Sequence, residues 1–394
     1  MGPDTIKTCP ISSRYLVVTH YMVDGAPQAL VRYLNSADSN EVTYIGHPLE
    51  AGYSNHECSI SKAGDVFINN NIKSVIKIPI LCWAWDIILT VYWVFKYQRT
   101  YEICVAAGCV NVIAALILKR WGRVKTVIFY SIDFVPMRFR NIFLQYLYRM
   151  FDNIAFVMAD VTWCLTDRML EARKREVSSS RPTRIDVIVP IGIDRLVAPY
   201  AEKQIERYTL VYVGMVLEKQ GLQIVIPALK PLQRKYPTLR LRIVGDGPFL
   251  HNIRRLAQDH GVEKLVEFCG LITDRAQLTE RVGTAAIGLA TYAPTSDSFT
   301  WYADPTKPKD YMALGIPVLI TEVPEISKII HAAGAGRLVS YDTQDVLYAI
   351  DRFLADDDCW RAARQSAFRL SYGYHWDAIF EQALMSSRPM AKDA

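Results

Sequence analysis

The residues best suited to chemistry lie in one charged segment, residues 303–321, which reads ADPTKPKDYMALGIPVLIT. It predicts a turn, a helix start, a Gly-x-Pro break and a buried strand. Lys307 and Lys309 bring two positive charges to the predicted helix start, whose unpaired N–H groups also attract anions. Asp310 can accept hydrogen bonds from sugar hydroxyls. Alone, the segment fits a solvated turn before a core strand equally well, so its meaning depends on its neighbours.

Two further turns of suitable type precede this segment. LVYVGMVLEKQGLQIVIPAL, from residue 210, reads as strand, glycine turn and amphipathic helix, and RLRIVGDGPFL, from residue 240, as a strand ending in Gly-Asp-Gly-Pro. Three strand ends with phosphate-compatible turns in one half of the chain are what a nucleotide site at the carboxyl edge of a parallel sheet requires. Gly-Asp-Gly-Pro also fits a plain tight turn, and both readings stay open.

The elements that must position these residues alternate along the whole chain. Strand-like and helical segments follow one another in both halves, which predicts an α/β protein with parallel strands and helices on both faces. A length of 394 residues favours two domains. We place the boundary near residue 195, after a turn-rich segment (residues 177–184) and within a Pro- and Gly-containing linker (residues 190–204).

At this point the motifs resemble those of a known family. YVGM from Tyr212, KQG from Lys219, VGDGP from Val244 and PTKPKDYMALGIP from Pro305 are similar to the donor-nucleotide domain of the glycosyltransferase family 4 (group 1) enzymes. In the first half, VVTHYMVDGAPQAL and VIVPIGID are similar to the cleft-facing loop and the closing strand of the partner domain.

The resemblance implies a GT-B fold, that is, two doubly wound Rossmann-like domains facing a central cleft. Residues 1–195 would form an acceptor-binding, membrane-associating domain, residues 196–372 the nucleotide-sugar-binding domain, and residues 373–394 a C-terminal helix and tail packing back toward the first domain. It further implies a retaining, metal-independent hexosyltransferase that uses no cofactor. The donor would be a UDP- or GDP-linked sugar, and the acceptor a lipid-linked oligosaccharide or a polysaccharide.

Carried over residue by residue, Gly214 lets the backbone approach the diphosphate and Lys219 neutralises it. Many relatives have Arg and Lys where this chain has Met215 and Gln220. That departure makes Lys307 the principal phosphate cation and a catalytic residue, with Lys219 supporting it.

The resemblance implies further donor contacts at the helix start through Pro305 and Thr306, and it implies that Asp246 and Gly247 would lie near the base or ribose. Asp310 occupies the place of the second glutamate of the family's Glu-x7-Glu motif, which bonds the ribose.

The first glutamate of that motif is replaced by Tyr302. The contact to the donor sugar is therefore left open, and Asp304 and Asp297 on the same loop are the candidates to supply it.

In the first half, the candidate catalytic residues are His20 and Asp133, each at a predicted strand end, with Asp24 and Gly25 nearby. A histidine at a strand end is as often structural as functional, and Asp133 also fits a cap of the following loop.

The composition of the chain indicates where the protein is located and which partners it can bind. An apolar fraction of 51% with 22% charged residues fits a globular protein. The eight cysteines are scattered without a Cys-x-x-Cys pair, which predicts a reduced, cytoplasmic protein without a zinc site. A formal charge of +5 and the lack of a recognisable module argue against nucleic acid as a partner.

Two segments indicate an anionic membrane surface as a partner, on the inner face of the cell membrane. Residues 119–184 carry 13 Lys and Arg against 6 Asp and Glu, and within them MRFRNIFLQYLYRMF (residues 137–151) mixes arginines with apolar residues at helical spacing. A core helix with a basic rim explains that segment equally well. Residues 78–95 are apolar but short for a span and carry Asp86, so we expect a buried or membrane-grazing helix.

Two competing functions stay in view. A dinucleotide-dependent oxidoreductase would share the fold class, but neither glycine turn has the Gly-x-Gly-x-x-Gly fingerprint. A non-catalytic sugar-nucleotide-binding partner of another transferase is suggested by Tyr302 in place of a carboxylate.

Overall fold

In a computed structural model, the chain forms two compact units. The structure describes residues 13–20, 24–48, 55–177, 185–194, 199–295 and 299–388. The N-terminal unit comprises Met1–Pro190 and Ile379–Ala394, and the C-terminal unit comprises Ile191–Ala378. Each unit contains its own sheet, which confirms the predicted α/β class.

The described part of the N-terminal unit contains a sheet of eight strands. They are β1 (Arg14–Thr19), β2 (Glu41–Gly46), β3 (Asn55–Lys62), β4 (Asp65–Lys73), β5 (Tyr101–Ala107), β6 (Val124–Ser131), β7 (Val161–Cys164) and β8 (Ile185–Ile188). Their order across the sheet is β4-β3-β2-β1-β5-β6-β7-β8. Within this order, the six strands β2, β1, β5, β6, β7 and β8 run parallel to one another.

Five helices pack on this sheet, and one more returns to the unit at the end of the chain. They are α1 (Ala26–Asn35), α2 (Pro79–Lys96), α3 (Cys109–Arg120), α4 (Ile142–Met158), α5 (Asp167–Glu176) and α14 (Trp376–Ser386). Phe380 of α14 stacks on Trp163 at 6.5 Å between ring centroids. Ser387, just beyond α14, accepts a 2.8 Å hydrogen bond from the Trp163 indole nitrogen.

One edge of this sheet differs from the predicted parallel pattern. β3 pairs antiparallel with β2, and β4 pairs antiparallel with β3, so a hairpin extends the sheet. The sequence reasoning missed this hairpin, because β4 reads DVFINNNIK, and its asparagines are typical of a loop. An antiparallel edge strand on a parallel sheet is common in α/β proteins.

The C-terminal unit contains six parallel strands among its described residues. They are β9 (Glu206–Val213), β10 (Arg240–Val244), β11 (Val266–Gly270), β12 (Ala285–Ala290), β13 (Val318–Thr321) and β14 (Gly336–Val339). Their order is β11-β10-β9-β12-β13-β14, so the strand order reverses between β9 and β12. This is the doubly wound order in which ligands bind outside the carboxyl ends of the strands at the reversal.

The helices of this unit cover both faces of its sheet. They are α6 (Leu222–Lys235), α7 (Leu250–Asp259), α8 (Arg275–Gly283), α9 (Phe299–Tyr302), α10 (Thr306–Ala313), α11 (Ile326–Ala332), α12 (Thr343–Ala355) and α13 (Asp357–Ser371). Two buried apolar clusters, one centred on Leu229 and Phe353 and the other on Met312 and Ile320, stabilise the layers.

The predicted helix start in residues 303–321 is confirmed as α10. It begins at Thr306 after Pro305, and Gly315, with φ of +67°, ends it before β13. The Tyr311 hydroxyl accepts a 2.9 Å hydrogen bond from the Val213 amide, which fixes α10 against the end of β9. The Tyr311 ring fits there because Gly288 of β12 has no side chain.

Candidate functional site

A cavity of about 610 Å³ in the C-terminal unit gathers several of the predicted residues. It lies at the carboxyl end of β9, beside the point where the strand order reverses. Its wall includes Gly214 from the turn after β9, and Thr306, Lys307 and Asp310 from α10. These four residues, which the sequence analysis assigned to one site, line one cavity, and their individual roles remain predictions.

The Lys307 ammonium is surrounded by two tyrosine rings and a glutamine amide. Its ammonium lies 3.9 Å from the centroid of the Tyr212 ring and 5.2 Å from that of Tyr292, and it donates a 2.7 Å hydrogen bond to Gln220 Oε1. The described contacts include no carboxylate. Burial of the ammonium among these groups lowers the pKa of Lys307 to about 7, although part of the residue remains exposed to the cavity.

The start of α10 adds backbone donors to the same wall. The first amides of a helix have no intrahelical acceptor, and here they belong to Thr306 and Lys307. Pro308 has no N–H, so the third position donates nothing. Lys307 thus combines a side-chain ammonium and a helix-start amide at one place, where an anion would meet both.

Arg275, the first residue of α8, is a second cation of this cavity, and the sequence reasoning missed it. Its guanidinium donates a 2.9 Å hydrogen bond to Asp194, and both residues line the cavity. Its positive charge also opposes the rise in the pKa of Asp310. In the sequence, Arg275 indicated only the start of a helix after Asp274, and no motif singled it out as a cavity residue.

Asp310 is exposed at the cavity wall, yet its carboxyl lies in surroundings that disfavour charge. Burial raises its pKa to about 6. A carboxyl at this place can accept hydrogen bonds from hydroxyl groups of a ligand when it is ionised.

Asp304 and Lys309 form a buried ion pair, so their charged groups are engaged with each other, and the predicted binding role of Asp304 stays a prediction. Lys309 is fully buried and Asp304 is 7% exposed. Lys309 donates to Asp304 and to the Ile191 carbonyl, while the Ile191 amide donates to Asp304 at 2.6 Å. Burial raises the pKa of Asp304 and lowers that of Lys309, and each partner's charge opposes both shifts.

The ion pair corrects one expectation. Lys309 was expected to add a second charge for an anion at the helix start, but its ammonium is engaged with Asp304. Of the two lysines in the segment, Lys307 alone lines the cavity. Asp297, the other candidate for a sugar contact, lies outside the described residues.

The Gly-Asp-Gly-Pro turn packs against the turn that follows β9. The Gly214 amide donates to the Val244 carbonyl at 3.0 Å, and the Val216 amide to the Asp246 carbonyl at 2.8 Å. A Cβ at Gly245 would overlap the Gly214 carbonyl oxygen. This turn therefore supports the backbone on which Gly214 is displayed.

The remaining predicted residues of this unit lie around the same loops but do not line the cavity. The Asp246 carboxylate accepts a 2.7 Å hydrogen bond from the Gly247 amide. Met215 is 62% exposed. The Lys219 carbonyl accepts from the Ala293 amide at 2.9 Å, and its ammonium pairs with no described residue. Their binding roles remain predictions.

In the N-terminal unit, His20 and Asp133 line a separate cavity of about 450 Å³. Asp133 forms an ion pair with Arg138, and its carbonyl accepts from the buried Arg173 at 3.0 Å. His20 Nε2 lies 3.0 Å from Asp86 Oδ2, and His20 Nδ1 lies 3.0 Å from Asn111 Nδ2. Both predicted residues are therefore held in place, at the wall of one cavity.

Asp24 and Gly25 belong to the start of α1. Asp24 pairs with Arg32, and the Gly25 carbonyl accepts the Ala29 amide at 2.9 Å. These contacts stabilise the first turn of the helix.

Part of this chain is similar to known proteins. Residues 207–356 match the family model described as "Glycosyl transferases group 1". The putative colanic acid biosynthesis glycosyltransferase WcaL of Salmonella typhimurium is 26% identical over 140 residues, which are 36% of this chain and 34% of WcaL. The match thus spans about a third of the length of that curated relative.

A second relative matches a shorter stretch of this chain, and a solved structure matches its fold. A GDP-mannose-dependent alpha-(1-6)-phosphatidylinositol monomannoside mannosyltransferase of Mycolicibacterium smegmatis is 36% identical over 63 residues, 16% of each chain. The structure of Anabaena HepE in complex with UDP superposes with a TM-score of 0.68 and 14% identity, covering 95% of this chain and 99% of HepE. The latter likeness shows the fold, which is GT-B.

We predict that Lys309→Met destabilises the protein by about 3–5 kcal/mol, because it leaves the Asp304 carboxylate buried without its counter-ion. Urea denaturation of the two variants Lys309→Met and Lys230→Met measures the effect. Lys230 is exposed on α6, so its substitution should stay within about 0.5 kcal/mol of wild type.

The loss in Lys309→Met should be smaller at pH 5 than at pH 8. An unpaired buried carboxyl has a raised pKa, so the folded protein binds more protons than the unfolded chain and gains stability as the pH falls. Equal stability of Lys309→Met and Lys230→Met at both pH values would contradict the buried pair.

Proposed function

We propose that this chain, whose residues 207–356 match the group 1 glycosyltransferases and whose fold is GT-B, moves a sugar from a nucleoside-diphosphate sugar to a lipid-linked oligosaccharide or polysaccharide acceptor. The observation that carries the proposal is the cavity at the end of β9, where Lys307, the start of α10 and Gly214 converge. Positive charge, free amides and an open backbone are together what a diphosphate requires.

The chemistry of the leaving group explains why these residues would accelerate transfer. When the bond between the sugar C1 and the phosphate oxygen breaks, negative charge develops on the departing diphosphate. The Lys307 ammonium and the amides of Thr306 and Lys307 would stabilise that charge, and Arg275 is placed to add a second cation. Preorganised donors of this kind are often the largest single contribution to catalysis.

The acceptor oxygen would form the new bond to C1 while its proton passes to the departing diphosphate. A side chain acting as base is then not required. We propose that this chain follows that course with retention of configuration, that its donor sugar is a hexose, and that cations of the protein, rather than a metal ion, hold the leaving diphosphate.

Asp310 is proposed to bind the ribose hydroxyls of the donor. The donor's base is proposed to be uracil or guanine, since HepE was solved with UDP and the mycobacterial relative is GDP-mannose-dependent. The nature of the acceptor is likewise suggested by relatives, because WcaL is named for colanic acid biosynthesis and the mannosyltransferase for a phosphatidylinositol mannoside.

Exposed apolar side chains in the N-terminal unit support a membrane-bound acceptor. On α4, Ile142 is 86% exposed, Phe143 63% and Tyr146 69%. The neighbouring α2 exposes Leu81 and Ile88, and Ile78 just before it is also exposed. Among the described residues, α2 is the one helix long and apolar enough to cross a membrane. We propose that α2 and α4 bind the cytoplasmic surface of an anionic membrane peripherally, because α2 packs Asp86, Leu89 and Trp93 inside the unit.

We predict that Lys307→Ala lowers the rate of sugar transfer, as kcat/KM for the donor, by about 100- to 1,000-fold, since one charge-stabilising donor is lost. Release of nucleoside diphosphate from a panel of UDP- and GDP-sugars, with membrane lipid extract as acceptor, measures the rate. Lys230→Ala is the matched control, and circular dichroism verifies that both variants fold.

The same assay addresses the alternative function. If wild-type protein binds a donor but releases no diphosphate with any acceptor extract, the chain is a sugar-nucleotide-binding partner of another transferase. Turnover by Lys307→Ala at the wild-type rate would contradict the role given to Lys307.

Donor binding should consume a proton above pH 7. The pKa of Lys307 is about 7 in the free protein, so the side chain is mostly neutral at pH 8, and the diphosphate restores its charge. We therefore expect uptake of about one proton per donor bound at pH 8, and a Kd that rises up to about tenfold per pH unit above pH 7. Calorimetry in buffers of different ionisation enthalpy measures the uptake, with a nucleoside-diphosphate sugar as ligand because its phosphates do not titrate in this range.

Gln220→Glu is the companion variant. It would place a carboxylate beside the Lys307 ammonium, raise the lysine pKa and suppress proton uptake at pH 8. Binding to wild-type protein without proton uptake at pH 8 would show that Lys307 does not contact the diphosphate.

The protein should bind vesicles containing phosphatidylserine and be released by salt, because salt screens exposed charges. Ile142→Ser combined with Phe143→Ser should weaken this binding by about tenfold or more, since two exposed apolar groups are lost from the interface. Leu271→Ser is the control, because Leu271 is a 72% exposed leucine in the C-terminal unit. Retention at high salt would instead indicate insertion of α2, and equal binding of all variants would contradict the surface on α4.

A further inference from the structure

Three ligand-type side chains converge inside the N-terminal unit, away from the cavity at β9. His47 follows β2, His56 lies on β3 and Asp86 lies in the middle of the apolar helix α2. They are 0%, 2% and 3% exposed, respectively. Three elements far apart in the sequence therefore bring two imidazoles and a carboxylate to one buried point.

The distances among the three atoms are short and nearly equal. His47 Nδ1 lies 3.0 Å from His56 Nδ1, His56 Nδ1 lies 3.4 Å from Asp86 Oδ1, and His47 Nδ1 lies 3.6 Å from Asp86 Oδ1. Ligands bound to Zn²⁺ at about 2.0–2.1 Å in a tetrahedron are separated by about 3.3–3.4 Å. The observed edges lie on both sides of that value.

A point at bonding distance from all three atoms also exists. With these three edges, a metal about 2.1 Å from each atom lies about 0.8 Å from their plane, close to the third of a bond length expected in a regular tetrahedron. The three atoms thus form one face of a tetrahedral site and leave a fourth position.

The surrounding hydrogen bonds leave the carboxylate oxygen of this face without a donor. Asn111 Nδ2 donates to the Ala107 carbonyl at 2.7 Å and to His20 Nδ1 at 3.0 Å, which places the His20 proton on Nε2. His20 Nε2 then donates to Asp86 Oδ2 at 3.0 Å. Asp86 Oδ1 is buried and accepts no hydrogen bond from the described residues. A buried oxygen of this kind costs free energy unless a cation or a donor satisfies it.

The outer contacts of His47 and Asp86 match those of metal sites, whereas His56 Nε2 has no hydrogen-bond partner among the described residues. His47 Nε2 lies 2.8 Å from Thr90 Oγ1, so its proton can be donated there while Nδ1 keeps its lone pair. Metal-bound histidines usually donate their second nitrogen in this way, and metal-bound carboxylates are themselves hydrogen-bonded. His20 has the latter role toward Asp86.

We propose that His47 Nδ1, His56 Nδ1 and Asp86 Oδ1 bind one Zn²⁺-like divalent cation. Imidazole nitrogen with one carboxylate oxygen suits zinc and its first-row neighbours better than Mg²⁺ or Ca²⁺, which prefer oxygen ligands. The fourth position belongs to a water molecule in the adjacent cavity, whose wall includes His56, Asp86 and His20.

The site would attach α2 to the sheet. Asp86 and Thr90 are one turn apart on α2, and Trp93, nearly one turn further, stacks on His47 at 6.2 Å between ring centroids. The metal would bind this face of α2 to β2 and β3, while the opposite face remains exposed. Loss of the metal should therefore loosen α2 and lower thermal stability.

Tag-free full-length protein tests the proposal, since an affinity tag of histidines would itself bind metal. After chelator treatment and incubation with Zn²⁺ alone, elemental analysis should find about one zinc per chain, and the melting temperature should rise with Zn²⁺ but not with Mg²⁺. Co²⁺ in place of Zn²⁺ should give the visible absorption of a tetrahedral site.

The near-isosteric variants Asp86→Asn and His56→Gln should lose Zn²⁺ affinity by more than about 100-fold, whereas His20→Gln should lose about 10- to 100-fold as an outer contact. His251→Gln removes an exposed histidine of α7 and should bind like wild type. Circular dichroism verifies folding, and the wild-type zinc content decides the matter if a variant fails to fold. Less than about 0.1 zinc per wild-type chain, or wild-type affinity in Asp86→Asn, would overturn the site and leave a cluster held by hydrogen bonds.

Discussion

The placement of the Lys307 ammonium is the constraint on which the proposed function depends. Tyr311, one turn further along α10, bonds the end of β9 and thereby fixes the helix start, while Tyr212, Tyr292 and Gln220 surround the ammonium. Because no described carboxylate neutralises the cation, its affinity for an anionic ligand is retained. Burial of the ammonium lowers its pKa. A lysine that forms an ion pair with a carboxylate, as Lys309 does with Asp304, would bind a phosphate only weakly.

The sequence predicted the C-terminal unit well because its motifs are local. Residues 303–321 contain a helix start, a helix end and a strand within 19 positions, so turn chemistry alone located α10, Gly315 and β13. The family resemblance singled out Lys307, but local turn chemistry could not show that Lys309 is unavailable to a ligand. Its ion pair with Asp304 depends on the Ile191 backbone, more than a hundred residues away. Arg275 was missed for the same reason, because its place in the cavity is set by the fold of the sheet.

The N-terminal unit was predicted less completely, and its buried polar cluster explains why. The absence of paired cysteines led to the expectation of no zinc site, and that reasoning did not consider the two histidines and the aspartate that converge there from three separate elements. Their sequence spacing carries no signal. Asp86 appeared only as an interruption of an apolar segment, whereas in the structure it faces the sheet and gives α2 a buried face and an exposed one.

The central claim concerns the C-terminal unit, where Lys307 is proposed to bind the diphosphate of the donor. The most direct measurement compares the affinity of wild-type protein for a nucleoside diphosphate and for the corresponding monophosphate, and repeats the comparison in Lys307→Ala. The account predicts that the second phosphate strengthens binding by about 10- to 100-fold in wild type, as expected for hydrogen bonds to a charged group, and that most of this gain is lost in the variant. An equal gain in both proteins would contradict it.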